Sequence, residues 1–230
     1  MKTDIYFVRH AQPDFSIKDD LVRPLSEKGI EDTRKVTNAL IDKNITSIYS
    51  SPFKRAVDTI KDFAENTGLE IKTDDNFCER RVGEWVEDFK AFSLKQWEDF
   101  DFKLDGGESL RQVQERNIAA LFEVIKKNHG KSIAIATHGT ALSTIINYFN
   151  PDFGHAGFWS IADKMPYILY FRFNTELTRP KSPASAGGGC QRAAKSSMDS
   201  TNIQWGLNPP LNEVSFNGIK LESLEEIEII

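Results

Sequence analysis

The chain has 230 residues, 40% of them hydrophobic and 27% charged, with a formal net charge of −5. That size fits one domain with a real core. The acidic balance argues against a general nucleic-acid or membrane-surface binder, because no basic excess draws phosphate backbones in. No apolar run is long enough to span a bilayer.

Cys78 and Cys190 are the only cysteines. They lie far apart, without metal-ligand spacing, and read as free thiols in a reducing compartment. The N-terminus runs straight into a strand without a signal peptide, so a cytoplasmic location is expected.

Residues 5–8 form the first predicted strand, ending abruptly at Arg9-His10. A turn at 23–26 follows. Ser26 is placed to cap a helix whose apolar stripe includes Val36, Ala39 and Leu40. Residues 45–49 read as a second short strand. Ser50-Ser51-Pro52 then opens a second helix, with Pro52 in its first turn and Ala56, Val57, Ile60, Phe63 and Ala64 on its apolar side. Gly68 stops that helix, and 69–72 is a third strand.

Residues 89–100 are aromatic and charged and read as a helix over the mouth of a site. A turn and cap at 105–109 precede a long helix over 110–127. The strongest strand pattern is 131–137, again ending at a histidine, His138. Helix 139–149 and strand 167–173 follow. Strands alternating with helices predict an α/β fold: a three-layer αβα sandwich around a mainly parallel central sheet.

Between about 175 and 217 the apolar periodicity vanishes, and Pro, Gly and Ser dominate. Such a composition does not bury enough surface to offset its ordering entropy. Phe173-Asn174 recurs as Phe216-Asn217, followed by Gly218-Ile219-Lys220-Leu221. Removing one copy and the residues between leaves a strand, an Asn-Gly turn and a strand, which is a strong hairpin signal. The expected organisation is one domain over 1–230, with an irregular insertion at 175–217 interrupting a C-terminal hairpin.

Four clusters carry chemistry. At strand ends in open α/β sheets ligands bind, and there Arg9 offers a fork suited to phosphate oxygens. His10 beside it is nucleophilic toward phosphorus when one ring nitrogen is unprotonated and the other is held by an acceptor. A core histidine bonded to a carbonyl is the plain alternative. Arg55 lies in the first turn of a helix, where a cation is locally disfavoured, so a nearby anion is expected. Lys54 reads as a solvated charge. Gly139 after His138 permits close backbone approach; the plain alternative for His138 is a capping or core histidine. Glu79, Glu84, Glu87 and Asp88 are all candidate proton donors for a leaving oxygen, and position alone does not choose among them. Arg80 and Arg81 suit a substrate carboxylate or second phosphate, or an ion pair with Glu84 or Glu87.

Taken together, these motifs resemble the histidine phosphatase, or phosphoglycerate-mutase-like, superfamily. The residues that carry the resemblance are Arg9-His10-Ala11, Ser51-Pro52-Phe53-Lys54-Arg55, Glu79-Arg80-Arg81-Val82-Gly83, Gly107-Glu108-Ser109 and His138-Gly139, in family order from 4 to about 173. The resemblance implies His10 as the nucleophile that becomes phosphohistidine. It implies Arg9, Arg55 and His138 as holders of the phosphoryl oxygens, and Glu79 as acid and then base. It implies no cofactor and no metal. Ala11 stands where the family has glycine. Residues 12–16 lack the Glu-Ser/Thr-x-x-Asn run of the mutases, although Gln12 is still a candidate phosphate contact. The chain without its insertion is also short for a mutase. The expected activity is hydrolysis of a small phosphorylated metabolite. Mutase-type transfer and non-catalytic phospho-ligand binding are the alternatives within the family. Outside it stands a metalloenzyme built on His10, His129, His138 and His155, whose spacing shows no ligand pattern.

Overall fold

A computed structural model describes residues 1–175, 215–216 and 219–229. Among these residues seven strands form one sheet: β1 Lys2–Arg9, β2 Ile45–Ser50, β3 Ile71–Thr73, β4 Ser132–Thr137, β5 Tyr167–Thr175, β6 Ser215–Phe216 and β7 Ile219–Ile227. The described residues also form six α-helices: α1 Glu27–Leu40, α2 Lys54–Thr67, α3 Phe89–Glu98, α4 Leu110–Lys127, α5 Gly139–Phe149 and α6 His155–Ser160. The sheet order is β3-β2-β4-β1-β5-β7-β6. From β3 to β1 the pairings are parallel; beyond β1 the sheet continues antiparallel.

Side chains alternate across a strand, and the core divides accordingly. Ile5 and Phe7 of β1 and Ile133 and Ile135 of β4 face one way, packing with Leu121 and Ile125 of α4 and Leu142 and Ile145 of α5. Tyr6, Val8, Ala134 and Ala136 face the other, with Val36 and Leu40 of α1 and Ala56, Ile60 and Phe63 of α2. This is the expected three-layer sandwich.

Local signals mostly act where they were read. Ser26 accepts the Gly29 N–H at 3.1 Å and caps α1. Gly68 ends α2 in the left-handed region, at φ 69°. Ser109 and Gln112 form a reciprocal capping box on α4. Pro52 differs: α2 starts only at Lys54 with Phe53 as its cap residue, so Pro52 lies ahead of the first turn. The reason is the preceding strand end, where the Ser51 N–H is still held by the Ala136 carbonyl at 2.9 Å.

The C-terminal hairpin also differs in detail. β5 and β7 pair antiparallel, as expected, but Thr175 pairs with Ile219 and Phe216 also pairs with Ile219 from β7's other side. Residues 176–214 of the expected insertion, and Asn217 and Gly218, lie outside the described residues, as does Cys190. Among the described residues no helix is long and apolar enough to cross a membrane.

Candidate active site

Parallel register brings the site together. Arg9 of β1 pairs with Thr137 of β4, and Ser50 of β2 pairs with Ala136. The three strands thus end level, and His10, Ser51 and His138 emerge side by side. The His10 N–H donates to the Thr137 carbonyl at 3.1 Å. The rings of His10 and His138 meet edge-on, centroids 5.2 Å apart, and His138 also abuts the Phe53 ring at 5.1 Å. Both histidines are buried.

The His10 Nδ1 lies 2.8 Å from the carbonyl oxygen of Ala11. A carbonyl only accepts, so Nδ1 carries the proton and Nε2 keeps its lone pair. Ala11 is itself held in place, its N–H donating to Thr59 Oγ1 at 2.9 Å. Burial, reinforced by the nearby Arg55 and Arg9 charges, holds the His10 pKa well below its ordinary 6.5. Burial, with Arg55 and His10 itself, does the same to His138. Both rings are neutral at neutral pH.

A pH dependence of stability follows. In the unfolded chain both histidines take up protons below about pH 6.5, while in the folded state they resist. Stability is therefore unaffected by them above that value and falls as pH drops below it, by up to about 1.4 kcal/mol per pH unit for each. The expected result is a melting temperature that is level from about pH 8 to 7 and declines toward about pH 5. The decline should be shallower in the double variant His10→Gln, His138→Gln. Scanning calorimetry at stepped pH measures this, and an equally steep decline in the variant would assign it to other groups.

The cations are placed unequally. Arg55 is buried, with Nη1 donating to the Asp20 carbonyl at 2.7 Å and lying 3.4 Å from the Asp20 carboxylate. The anion expected near that first-turn cation thus includes one from the chain itself. Its guanidinium covers the Phe53 ring at 5.1 Å. Arg9 is committed more heavily: Nη1 donates to the Ile161 and Lys164 carbonyls and Nη2 to that of Ala162. Its Nε is buried without a partner among the described residues. Burial pulls its pKa down to about 10, so it stays charged at neutral pH. Gly139 serves this packing, since a Cβ there would come within 3.2 Å of the Arg9 guanidinium. Lys54 is the exposed charge it was read as, paired with Asp58 at 2.8 Å along α2.

Of the four candidate acids, Glu79 is the one delivered to this edge. Its Oε2 accepts the Thr140 N–H at 3.0 Å, and its Oε1 accepts the Ala141 N–H at 3.2 Å and the Arg80 N–H at 2.8 Å. The first turn of α5, directly after His138, therefore holds the carboxylate by its free N–H groups and positive end. Its charge reaches Arg9, Arg55 and Arg80.

A network that the sequence did not announce supports Glu79. Arg116 of α4 grips Glu108 through both oxygens, at 2.9 and 3.1 Å. It also donates to the carbonyls of Asn76, Cys78 and Glu79. Glu108 Oε2 accepts the Arg81 N–H at 2.9 Å. Burial pushes the Glu108 carboxyl up, but these bonds outweigh it and hold it below its usual value. Gly83, at φ 94°, lies against the 105–107 turn; a Cβ there would fall 2.2 Å from the Asp105 carbonyl oxygen. No side chain fits that approach, which gives Gly83 its physical reason.

Arg80 and Arg81 pair with neither Glu84 nor Glu87. Arg80 is buried, donates to Gln96 Oε1, and lies over the Phe89 and Phe92 rings at 5.4 and 5.0 Å. Arg81 donates to the Gly106 carbonyl at 2.8 Å. Gln12 faces α1, where its Oε1 accepts from Ser26 Oγ at 3.1 Å. His129 bonds the Thr175 carbonyl at 3.0 Å, while His155 joins Trp159 at 2.8 Å and Ser93 at 3.3 Å. Among the described residues no three His, Cys, Asp or Glu side chains are grouped to hold a metal ion.

The α/β sheet thus delivers two neutral imidazoles, buried guanidinium groups and a helix-held carboxylate to one edge. The histidine phosphatase superfamily (branch 1) matches residues 5–174, and this chain belongs to it. It is 30% identical over 166 residues to phosphoglycerate mutase-like protein 4 of Arabidopsis thaliana, spanning 64% of this chain and 71% of that protein. It is 29% identical over 147 residues to phosphoserine phosphatase 1 of Hydrogenobacter thermophilus, spanning 58% and 70%. In fold it is similar to the native structure of a mycobacterial glucosyl-3-phosphoglycerate phosphatase, with TM-score 0.64 and 20% identity over 76% of this chain and 92% of that one.

Proposed function

We propose that this chain hydrolyses a small phosphate monoester through a phosphohistidine intermediate. The observation that carries the reading is the 2.8 Å contact from His10 Nδ1 to the Ala11 carbonyl, which leaves Nε2 as a neutral nucleophile. Nε2 attacks phosphorus and the bond from phosphorus to the alcohol oxygen breaks. Glu79, having first taken up the proton of the monoanionic phosphate ester, passes it to the departing oxygen. The phosphorylated ring is then cationic at Nδ1–H, and the Ala11 carbonyl stabilises it through a strengthened hydrogen bond. Water next attacks phosphorus with Glu79 as base, the P–N bond breaks, and phosphate leaves.

Arg55 is the main clamp on the phosphoryl oxygens, through Nε and Nη2, because only Nη1 is engaged with Asp20. Arg9 contributes Nε–H and mainly braces residues 161–164. These fixed cations, together with His138, neutralise charge that builds in the transition state. Gln12 remains within this proposal only as a peripheral phosphate contact, since its amide oxygen is spent on Ser26. Hydrolysis is favoured over mutase transfer by the run Gln12-Pro13-Asp14-Phe15-Ser16, which lacks the mutase pattern, and by similarity to a protein named a phosphoserine phosphatase. The substrate class is a small phosphorylated metabolite.

The test is rapid quenching of the full chain with a ³²P-labelled aryl phosphate in excess EDTA. The expected result is labelled protein whose label is lost in acid and kept in base, with turnover undiminished by the chelator. Label on an acid-stable linkage, or activity abolished by EDTA and restored by a divalent ion, would overturn the reading.

A further inference from the structure

The two nitrogens of His138 are in unlike situations. Nε2 lies 2.8 Å from Ser51 Oγ, while Nδ1 is buried without a partner among the described residues. The ring makes no capping bond to α5, although His138 is that helix's cap residue. Ser51 is fully buried. Its oxygen accepts the Phe53 N–H at 3.2 Å, and it has one proton to give. Two groups compete for that proton: His138 Nε2 at 2.8 Å and Cys78 Sγ at 3.6 Å. Sulfur is a weak acceptor and the imidazole nitrogen is both stronger and nearer, so the hydroxyl proton points to Nε2. A neutral imidazole that accepts at Nε2 carries its own proton on Nδ1. Burial and the Arg55 charge keep the ring neutral. An unpaired buried N–H is costly, which is the expected state of a donor that a ligand satisfies.

We propose that Ser51 is a positioning residue that fixes His138 in the Nδ1–H tautomer, making its buried Nδ1–H a ready donor to a phosphoryl oxygen bound beside His10. The ligand part of this inference rests on the function proposed above. Both imidazoles then share one tautomer but expose different nitrogens. His10 ties down its Nδ1–H and presents a bare Nε2, whereas His138 ties down Nε2 and presents Nδ1–H. The Ser51 N–H bond to Ala136, two residues before His138, holds the hydroxyl in reach.

The test is a long-range ¹H–¹⁵N correlation spectrum of the full chain labelled with ¹⁵N-histidine, with His138 assigned from the His138→Asn variant. The expected result is an Nδ1–H signature for His138 in the native chain and in Ser51→Thr, and its loss in Ser51→Ala. Vanadate binding should weaken roughly tenfold to a hundredfold in Ser51→Ala and be rescued in Ser51→Thr. An Nε2–H signature for His138 in the native chain would overturn the inference whether or not the Ser51 variants fold. So would Ser51→Ala with unchanged tautomer and unchanged vanadate affinity. An Nδ1–H signature that depends on Ser51, in a chain that neither binds vanadate nor turns over phosphate esters, would sustain the tautomer assignment and defeat the phosphatase reading instead.

Discussion

His10→Ala lowers kcat/KM for p-nitrophenyl phosphate by roughly 10⁴-fold or more while the protein stays folded. The size of the effect comes from the absence of a substitute. The neighbouring imidazole of His138 has its Nε2 engaged by Ser51, so it is not aimed as a nucleophile. Arg9 and Arg55 stay charged and only bind. The cost to the fold is small by comparison. Among the described residues the ring makes one hydrogen bond, to its own neighbour's carbonyl, and the backbone bond from the His10 N–H to Thr137 survives. Losing a satisfied polar contact of that kind costs about 1–3 kcal/mol. The check is steady-state kinetics beside a thermal melt of the same preparation. A folded variant within tenfold of the native rate would remove His10 as nucleophile.

Glu79→Gln separates proton transfer from binding. The amide is nearly isosteric but cannot pass a proton to a leaving oxygen. General acid catalysis contributes roughly 10²–10⁴-fold. That loss is expected for alkyl phosphates, whose leaving oxygen needs a proton. For aryl phosphates with acidic phenols, which leave unaided, the expected loss is below about tenfold. The substitution also exchanges one accepting oxygen for a donor beside the Thr140 and Ala141 N–H groups. A melting-temperature drop equivalent to about 1 kcal/mol accompanies it through the weakened start of α5. Plotting log kcat/KM against leaving-group acidity gives a steeper line for the variant than for the native enzyme. Parallel lines would reassign the acid, with Glu84, Glu87 and Asp88 as the next residues to test.

Much of the architecture was legible from periodicity. The apolar alternation of β1 and β4, the stripes of α1 and α2, and the caps at Ser26, Gly68 and Ser109 all act within a few residues of themselves. Each therefore leaves a trace in the local pattern. The two strands that end in histidine were legible for the same reason. A buried strand is apolar until it reaches the edge where polar chemistry begins, so Arg9-His10 and Thr137-His138 mark their own position. The composition shift after Thr175 was visible too, but no pattern within the segment announces that β7 pairs with both β5 and β6.

What the tertiary structure alone decided is which atoms those residues spend on one another. The partners lie far apart in sequence: His138 meets Ser51 across 87 positions, and Arg9 meets Ile161 across 152. Periodicity reports whether a side chain is buried. It carries no information on which distant carbonyl or hydroxyl it meets, because that depends on strand register and on how each loop closes over the sheet edge. So the sequence by itself determined the sheet, its two helical layers and the residue types gathered at one edge. Only the folded arrangement put Glu79 on the first turn of α5, tied Arg9 to backbone carbonyls and Arg55 to Asp20, and, among the described residues, left one nitrogen on each imidazole without a partner.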